Sequence, residues 1–438
     1  MVDQLRAMFA PGRKIPALYA AGRGRSVLST GLLGWREVVC HLQREGIILE
    51  EVRADVAIVG GGVMGPSVAY HLRRLNLARD VVVFEQDPLH MRSSTGLSAG
   101  GIRQLFSSAA NIALARWSVA FYQDFPQATA TAQGPGPDVG FRRNGYLFLL
   151  NRENEAGLLR RADFQEAHGV ALERLGVGDL ASRYPEMATD GLTGAVFGVQ
   201  DGFLDPYQVM RGFTEKAREL GVRFVPEEVL AIRTSGGAVQ GVESLNLRVT
   251  AKVVVDAAGA WAGGVGRLAG VDVPVVPTAR QVYVCRVPED RFGAYPLTVD
   301  PSGFYFRPEA GGRILCGKSF ADDPKDFVWD WNRALFQDAI WPDLATRVPL
   351  LERLHLESGW CGLYEVTPDD NAIIGPHPDL KGFFVIAGFS GHGMMQGPAA
   401  GLALAEMIGY GASRTLDVEG LDARRFAEGR LLREDAVV

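Results

Sequence analysis

Cysteine is scarce in this chain, and the four present, Cys40, Cys285, Cys316 and Cys361, form neither a CxxC pair nor any ligand-like cluster with the histidines. Their scatter excludes a disulfide framework, argues against a metal site, and fits a reducing compartment. No uninterrupted apolar run approaches the roughly eighteen residues of a spanning helix, so no membrane span is expected. Excess charge of one sign is also missing. A formal net charge of −6 over 438 residues leaves no electrostatic footprint for nucleic acid. What remains, 47% hydrophobic and 22% charged residues, is the composition of a globular protein long enough for two domains or one interleaved pair.

The most informative stretch is ADVAIVGGGVMGPSVAYHLRRLNLARDVVVFE, which starts at Ala54. Residues 56–59 read as a buried strand, Gly60, Gly62 and Gly65 form a GxGxxG turn, and apolar residues then recur at helical spacing. A second apolar run, 81–84, ends in Glu85. This βαβ pattern is a dinucleotide fingerprint: the first glycine permits the tight turn, the second admits a pyrophosphate, and the third lets helix and strand approach. The helix N-terminus attracts the phosphates. Glu85, some twenty residues past the last glycine, is placed to accept from a ribose 2′-OH and disfavours a 2′-phosphate. Whether the ligand is FAD or NAD stays open at this point.

Residues 1–50 precede the fold. Their early part is rich in Arg, Gly, Ala and Ser and overlaps in composition with an organelle transit peptide, while 32–49 reads as an ordinary amphipathic helix. The expected compartment is the cytoplasm, with organelle targeting through this extension as the alternative. After Glu85 comes QDPLHMRSSTGLSAGGIRQLFSS, where small residues and hydroxyls suit a backbone wrapped around a cofactor. Spacing alone reads its Arg103 as a surface charge.

Helices are expected at 111–124, 154–169, 177–184 and 205–220, and strands at 141–150, interrupted by Gly145, and 194–197. VRFVPEEVLAI reads as a strand pair, KVVVDAAGAWAGGVG as a buried strand ending at Ala258 and Gly259, and 275–316 as strands punctuated by hairpins. Helical segments fill 326–349. LKGFFVIAGFSGHGMMQGPAAGLALAEMIGYG repeats the strand, glycine turn, helix order of the opening. A second helix N-terminus aimed into the fold stabilises anionic charge.

In this order, GGGVMG, Glu85, the SST..SAGGIR segment, DAAGAWA, GLYEVTPDDNAIIG and GFSGHG make the chain resemble the FAD-dependent D-amino acid oxidase superfamily. Within it the likeness is to the branch of sarcosine oxidase, dimethylglycine dehydrogenase, glycine oxidase and the FAD-dependent oxidoreductase domain-containing proteins. The resemblance implies an α/β, Rossmann-like FAD-binding domain in three segments, 51–105, 200–275 and 360–425. Interleaved with it is a substrate domain, 106–199 and 276–359, on a mainly antiparallel sheet. Residues 1–50 are an N-terminal extension and 426–438 a C-terminal tail. The implied FAD ligands are Gly60, Gly62, Val63, Met64 and Gly65 at the pyrophosphate, and Glu85 and Gln86 at the adenosine ribose. Ser93, Ser94 and Thr95 would bind further oxygens, Val229 adenine, Ala258 and Gly259 the cofactor, and Gly391, His392, Gly393 and Met394 the flavin ring.

The resemblance also assigns Arg103 to a substrate carboxylate, and a bidentate guanidinium is the natural partner for one. Tyr305 and Tyr364 match aromatic positions facing the substrate, and His392 shapes the flavin environment or acts as an acid or base. The branch's second carboxylate-binding lysine is Met395 here. Its oxygen-activating lysine falls near Cys316, so Lys318, two residues on and on the same strand face, is the candidate substitute. Leu97 and Cys361 occupy or flank the positions of covalent attachment in relatives, so FAD is expected without a covalent bond. The implied activity is oxidation of the C–N bond of a secondary or N-substituted amino acid, a small-molecule amino acid or amine carboxylate. The final acceptor would be O2 or an electron-transfer acceptor. Alternatives are a flavoprotein acting in assembly, or oxidation of a hydroxy acid or an N-carboxymethyl intermediate. The oligomeric state stays open.

Overall fold

Four apolar residues buried along their whole length, Val56–Val59, form the centre of a six-stranded sheet. Its order is Ile373–Pro376, Phe383–Ala387, Val253–Asp256, Val56–Val59, Val81–Phe84, Arg223–Val225. All neighbours are parallel except the first pair. Near-continuous valine and isoleucine is the composition such strands need, since both faces are covered. This computed structural model describes residues 49–432 and 434. The helix expected over 32–49 lies outside them except for its last residue, as do Cys40 and nearly all of the extension.

Alternation along these strands divides the core. Val56, Ile58, Val81, Val83 and Val255 face a helical layer that includes Met64–Arg74, Ala109–Gln123, Pro206–Glu219 and Gly393–Tyr410. Ala57, Val59, Val82, Phe84 and Val254 face the helix Ala262–Ala269 and a four-stranded sheet of Glu50–Arg53, Leu247–Thr250, Ala238–Glu243 and Ala231–Ser235. VRFVPEEVLAI is therefore not a strand pair. Arg223–Val225 closes the six-stranded sheet and Ala231–Ser235 the four-stranded one, because the intervening prolyl-acidic segment changes layers.

Two of the helices touch through small residues. A Cβ on Gly401 would stand 2.1 Å from Ser67 Oγ, which instead donates to the Gly397 carbonyl at 3.0 Å. That close approach brings the N-termini of Met64–Arg74 and Gly393–Tyr410 side by side, with Met64 Cε 3.2 Å from where a Gly393 Cβ would lie.

The second large sheet has eight strands, in the order His355–Val366, Val276–Arg286, Arg313–Lys318, Phe304–Glu309, Leu297–Val299, Tyr146–Leu150, Gly194–Gly198, Leu172–Leu175. Its outer face, with Leu147, Tyr283, Phe304, Phe306 and Cys316, is covered by Arg333–Ala339 and Trp341–Arg347. Its inner face carries Tyr146, Phe148, Leu297, Val299 and Tyr305, packed with the helical layer of the first sheet.

Two expected domain boundaries shift. Residue 360 falls inside the strand His355–Val366, so the segment up to 366 belongs to the eight-stranded sheet. Ala109–Gln123, expected in the substrate part, lies on the nucleotide part: Tyr122 donates to the Met394 carbonyl at 2.6 Å and Ser118 Oγ accepts from Ala399 N at 3.2 Å. An amphipathic helix follows whichever apolar face covers it, which its own sequence does not name. Among the described residues no helix is long and apolar enough to cross a membrane.

Candidate active site

The first glycine turn is shaped by collisions that a side chain would cause. Gly60 has φ +114°, and a Cβ there would lie 2.2 Å from the Ala257 carbonyl oxygen. A Cβ on Gly65 would lie 1.9 Å from the Gly60 carbonyl. Gly62 faces the serine-rich segment, its absent Cβ 3.3 Å from Thr95 Oγ1 and 3.8 Å from Ser93 Oγ. Thr95 Oγ1 accepts from Val63 N at 3.0 Å, so the SST segment is folded onto the turn. Glu85 accepts from Gly61 N at 2.7 Å and from Asp87 N at 2.6 Å. Each carboxylate oxygen keeps a further lone pair for a hydroxyl. Burial raises the pKa of Glu85 against these hydrogen bonds. Gln86 is half-buried beside it, and Val229 packs in one cluster with Phe84 and Val225.

The second turn lies at the end of Phe383–Ala387. Gly388 (φ +80°) and Gly391 (φ +91°) reverse the chain, and a Cβ on Gly391 would collide with the Tyr364 ring at 2.4 Å. Gly259 has φ +55° and faces Glu365 Oε2, which accepts from Gly388 N at 2.9 Å. Ala258 N donates to Asp256 Oδ1 at 3.1 Å. The structure thus brings Ala258, Gly259 and the GHG turn to the same end of the sheet as Gly60.

Arg103 is not at the surface. It is 1% exposed, donates to the Leu105 carbonyl, and its guanidinium lies 4.2 Å from the Phe106 ring centre, with the Tyr146 and Phe148 rings at 5.9 and 5.7 Å. Its charge reaches Tyr146, Tyr364, His392 and Asp201. The spacing-based surface reading fails because the rings that bury this side chain include, besides Phe106, Tyr146 and Phe148 of the eight-stranded sheet.

Around Arg103 three phenols converge. Tyr146 is buried and Tyr305 and Tyr364 are half-buried, and desolvation drives each pKa up, Tyr146 to about 12. His392 sits edge-on to Phe106 at 5.0 Å, and burial together with the Arg103 charge pushes its pKa well below the usual imidazole value. It is neutral at physiological pH. Met394 and Met395 are buried at the start of the helix that follows.

Lys318 does not join this group. In the register of Phe304–Glu309 with Arg313–Lys318, Phe304 pairs with Lys318, Tyr305 with Gly317 and Phe306 with Cys316. Lys318 and Cys316 do share a face, but it is the outer one, where Lys318 pairs with Asp343 at 2.9 Å. The residue facing inward beside Tyr305 is Gly317, whose Cβ would lie 2.6 Å from the Tyr305 hydroxyl. Cys361 likewise packs outward, with Ala260, Ala279 and Leu363. Gly362 faces inward, where a Cβ would lie 3.2 Å from Leu97 Cβ.

Sequence reasoning missed Tyr146, Phe106, Gln104, Asp201 and Arg280. The alternation in GYLFLL was the available signal for Tyr146 and Phe148. Arg280 lies 5.2 Å from the Tyr364 ring centre and is paired with Asp323 at 2.6 Å. Asp201 carried no local signal beyond a turn.

The residues present fit a phosphate-bridged dinucleotide. Two helix N-termini and a side-chain-free turn lie together, and the buried Ser94 Oγ and His392 Nε2 have no hydrogen-bond partner among the described residues. The family model described as FAD dependent oxidoreductase matches residues 55–407. FAD-dependent oxidoreductase domain-containing protein 1 of Bos taurus is 34% identical over 426 residues, covering 88% of this chain and 87% of that protein. The crystal structure of L-proline dehydrogenase from P. horikoshii superposes with a TM-score of 0.79 at 26% identity, over 87% of this chain and 100% of that one. Glycine oxidase from Geobacillus kaustophilus gives 0.74 at 25% identity, over 85% and 98%.

Proposed function

The chain belongs to the family of FAD dependent oxidoreductases, and on that premise we propose that it oxidises the C–N bond of a secondary or N-substituted amino acid. It is an oxidoreductase with FAD as its cofactor. The observation that carries the substrate reading is Arg103: a guanidinium 1% exposed, set among the rings of Phe106, Tyr146 and Phe148 and next to Tyr364. A planar, permanently charged fork suits an α-carboxylate, and the surrounding rings suit the apolar remainder of an amino acid.

In this reading Gly60, Gly62, Val63, Met64 and Gly65 hold the pyrophosphate, Glu85 and Gln86 the ribose, and Ser93, Ser94 and Thr95 neighbouring oxygens. Val229 lies at the adenine, Ala258 and Gly259 line the cofactor, and Gly391, His392, Gly393 and Met394 adjoin the flavin. Bound FAD supplies the two-electron acceptor that takes hydride from the carbon next to nitrogen, leaving an imine for water to hydrolyse. The protein's part is orientation and desolvation. Arg103 fixes the carboxylate, Tyr305 and Tyr364 wall the site and exclude water, and the low-polarity surroundings keep the amine neutral so that it can give up hydride. His392 is neutral and adds no second cation. FAD is held without a covalent bond, a reading supported by the outward Cys361 and the apolar Leu97.

Anaerobic titration of the holoenzyme with amino acids, N-methyl and cyclic amino acids and hydroxy acids tests the proposal through flavin absorbance. Bleaching by N-substituted amino acids is expected. Bleaching by hydroxy acids alone, or by none, would sink it.

A further inference from the structure

Arg103 stands just past a very short ribbon. Gly101–Ile102 pairs antiparallel with Gly202–Phe203, Gly101 opposite Phe203 and Ile102 opposite Gly202. Two residues of ladder cannot hold the chain beyond their end. Beyond it, side chains do, Gln165 at the Phe106 carbonyl and Asp201 at Gln104. Asp201, the residue before Gly202, accepts from the Gln104 backbone N–H at 3.1 Å and from Gln104 Nε2 at 3.0 Å, both on Oδ1. The Asp201 carbonyl also accepts from Gly145 N at 2.9 Å, at the entrance to the strand that carries Tyr146. One residue thus ties the Arg103 segment to the Tyr146 strand.

The surroundings are built to admit it. Asp201 is fully buried, and a Cβ on Gly198 would collide with Asp201 Oδ2 at 2.0 Å. A Cβ on Gly202 would collide with the Arg142 carbonyl at 1.9 Å, where Arg142 and Phe203 exchange backbone hydrogen bonds of 2.9 and 3.1 Å. A buried carboxylate is costly, and here its hydrogen bonds go to the residue next to the substrate-facing arginine rather than to a structural cation.

We infer that Asp201, acting through Gln104, is a positioning residue that sets where the Arg103 guanidinium meets the substrate carboxylate, and so the preference for carboxylate-bearing amines. This rests on the reading of Arg103 given above. Asp201 touches no reacting atom; a displacement of Arg103 of about an ångström costs up to about a hundredfold in binding or rate.

The test uses the oxidised holoenzyme with benzoate and benzamide as probes, binding being followed by perturbation of the flavin visible spectrum. Arg103→Ala is expected to abolish benzoate binding and leave benzamide unaffected. Gln104→Leu, which keeps the backbone donor and removes Nε2, and Asp201→Ala, which removes the acceptor of both hydrogen bonds, should each weaken benzoate about tenfold or more while benzamide affinity and FAD content stay at wild-type values. If wild type fails to bind benzoate, or Arg103→Ala binds it normally, the reading of Arg103 falls. If Arg103→Ala loses benzoate but Gln104→Leu binds it as wild type does, the positioning role of Asp201 is overturned. Equal weakening of benzoate and benzamide overturns it too, since that is general disruption. Where Asp201→Ala does not fold, Gln104→Leu decides.

Discussion

At the scale of the residue, burial decided what each charged group can do. Asp201 shows it most directly. Burial pushes its pKa up to about 6 against the hydrogen bonds from Gln104 and the charge of Arg103. A carboxyl that binds its proton more tightly folded than unfolded stabilises the fold fully below its unfolded pKa, and that contribution is lost as pH rises toward the folded value. Replacing it by Asn removes the titration. The unfolding free energy of Asp201→Asn minus that of wild type should therefore rise between pH 4 and pH 7 by about 2 kcal/mol. Urea unfolding at both pH values measures it, and a gap that does not change with pH contradicts the burial argument. Arg103 teaches the same lesson from the other sign. Its spacing in SAGGIRQLF reads as surface, since arginine is rarely buried; only rings from Tyr146–Leu150 and from Phe106 make it interior.

At the scale of the element, period and register were legible to different degrees. The strands at 56–59 and 383–387 end at Gly60 and Gly388 and the strand at 81–84 at Glu85, because a strand buried on both faces needs a continuous apolar run. The glycine turns were legible for a similar reason: only glycine tolerates the carbonyl contacts at Gly60 and Gly65. What could not be read was which face of a strand looks inward. Lys318 and Cys316 share a face, as period two requires, but whether that face meets the site or the outer helices depends on the partner layer. Lys318→Met should accordingly leave flavin reoxidation by air and substrate turnover unchanged and cost at most about 1 kcal/mol in stability. Stopped-flow mixing of the reduced enzyme with oxygenated buffer measures this; a collapse of the reoxidation rate would return Lys318 to the site.

At the scale of the whole molecule, the chain closes on itself through its C-terminal part. Arg425 and Asp369 form a two-point ion pair, 2.7 and 2.9 Å, with both side chains fully buried. The same carboxylate accepts from Leu432 N at 3.2 Å, and Glu434 accepts from Ser107 N at 2.9 Å and Asn111 Nδ2 at 2.9 Å. These bonds anchor the loop between the strands His355–Val366 and Ile373–Pro376. Removing one partner of a buried pair strands the other's charge. Arg425→Met should destabilise the protein by about 3–5 kcal/mol, measured by denaturant titration. A loss below about 1 kcal/mol, the scale of an exposed pair, would mean that the pair is solvated in solution.

The sequence alone determined the nucleotide unit from Val56 to Glu85 and its ligand class, because backbone collisions and apolar periodicity are local properties that a string of residues expresses directly; the cofactor and the family came from the resemblance that its ordered motifs carry. The tertiary structure alone decided that Arg103, Tyr146, Tyr305, Tyr364 and His392 lie near one another, that Asp201 hydrogen-bonds Gln104 beside Arg103, and that Lys318 and Cys361 look away from them. Those facts depend on which faces of two sheets are pressed together, and a residue's own neighbours in the chain say nothing about the layer that will cover it.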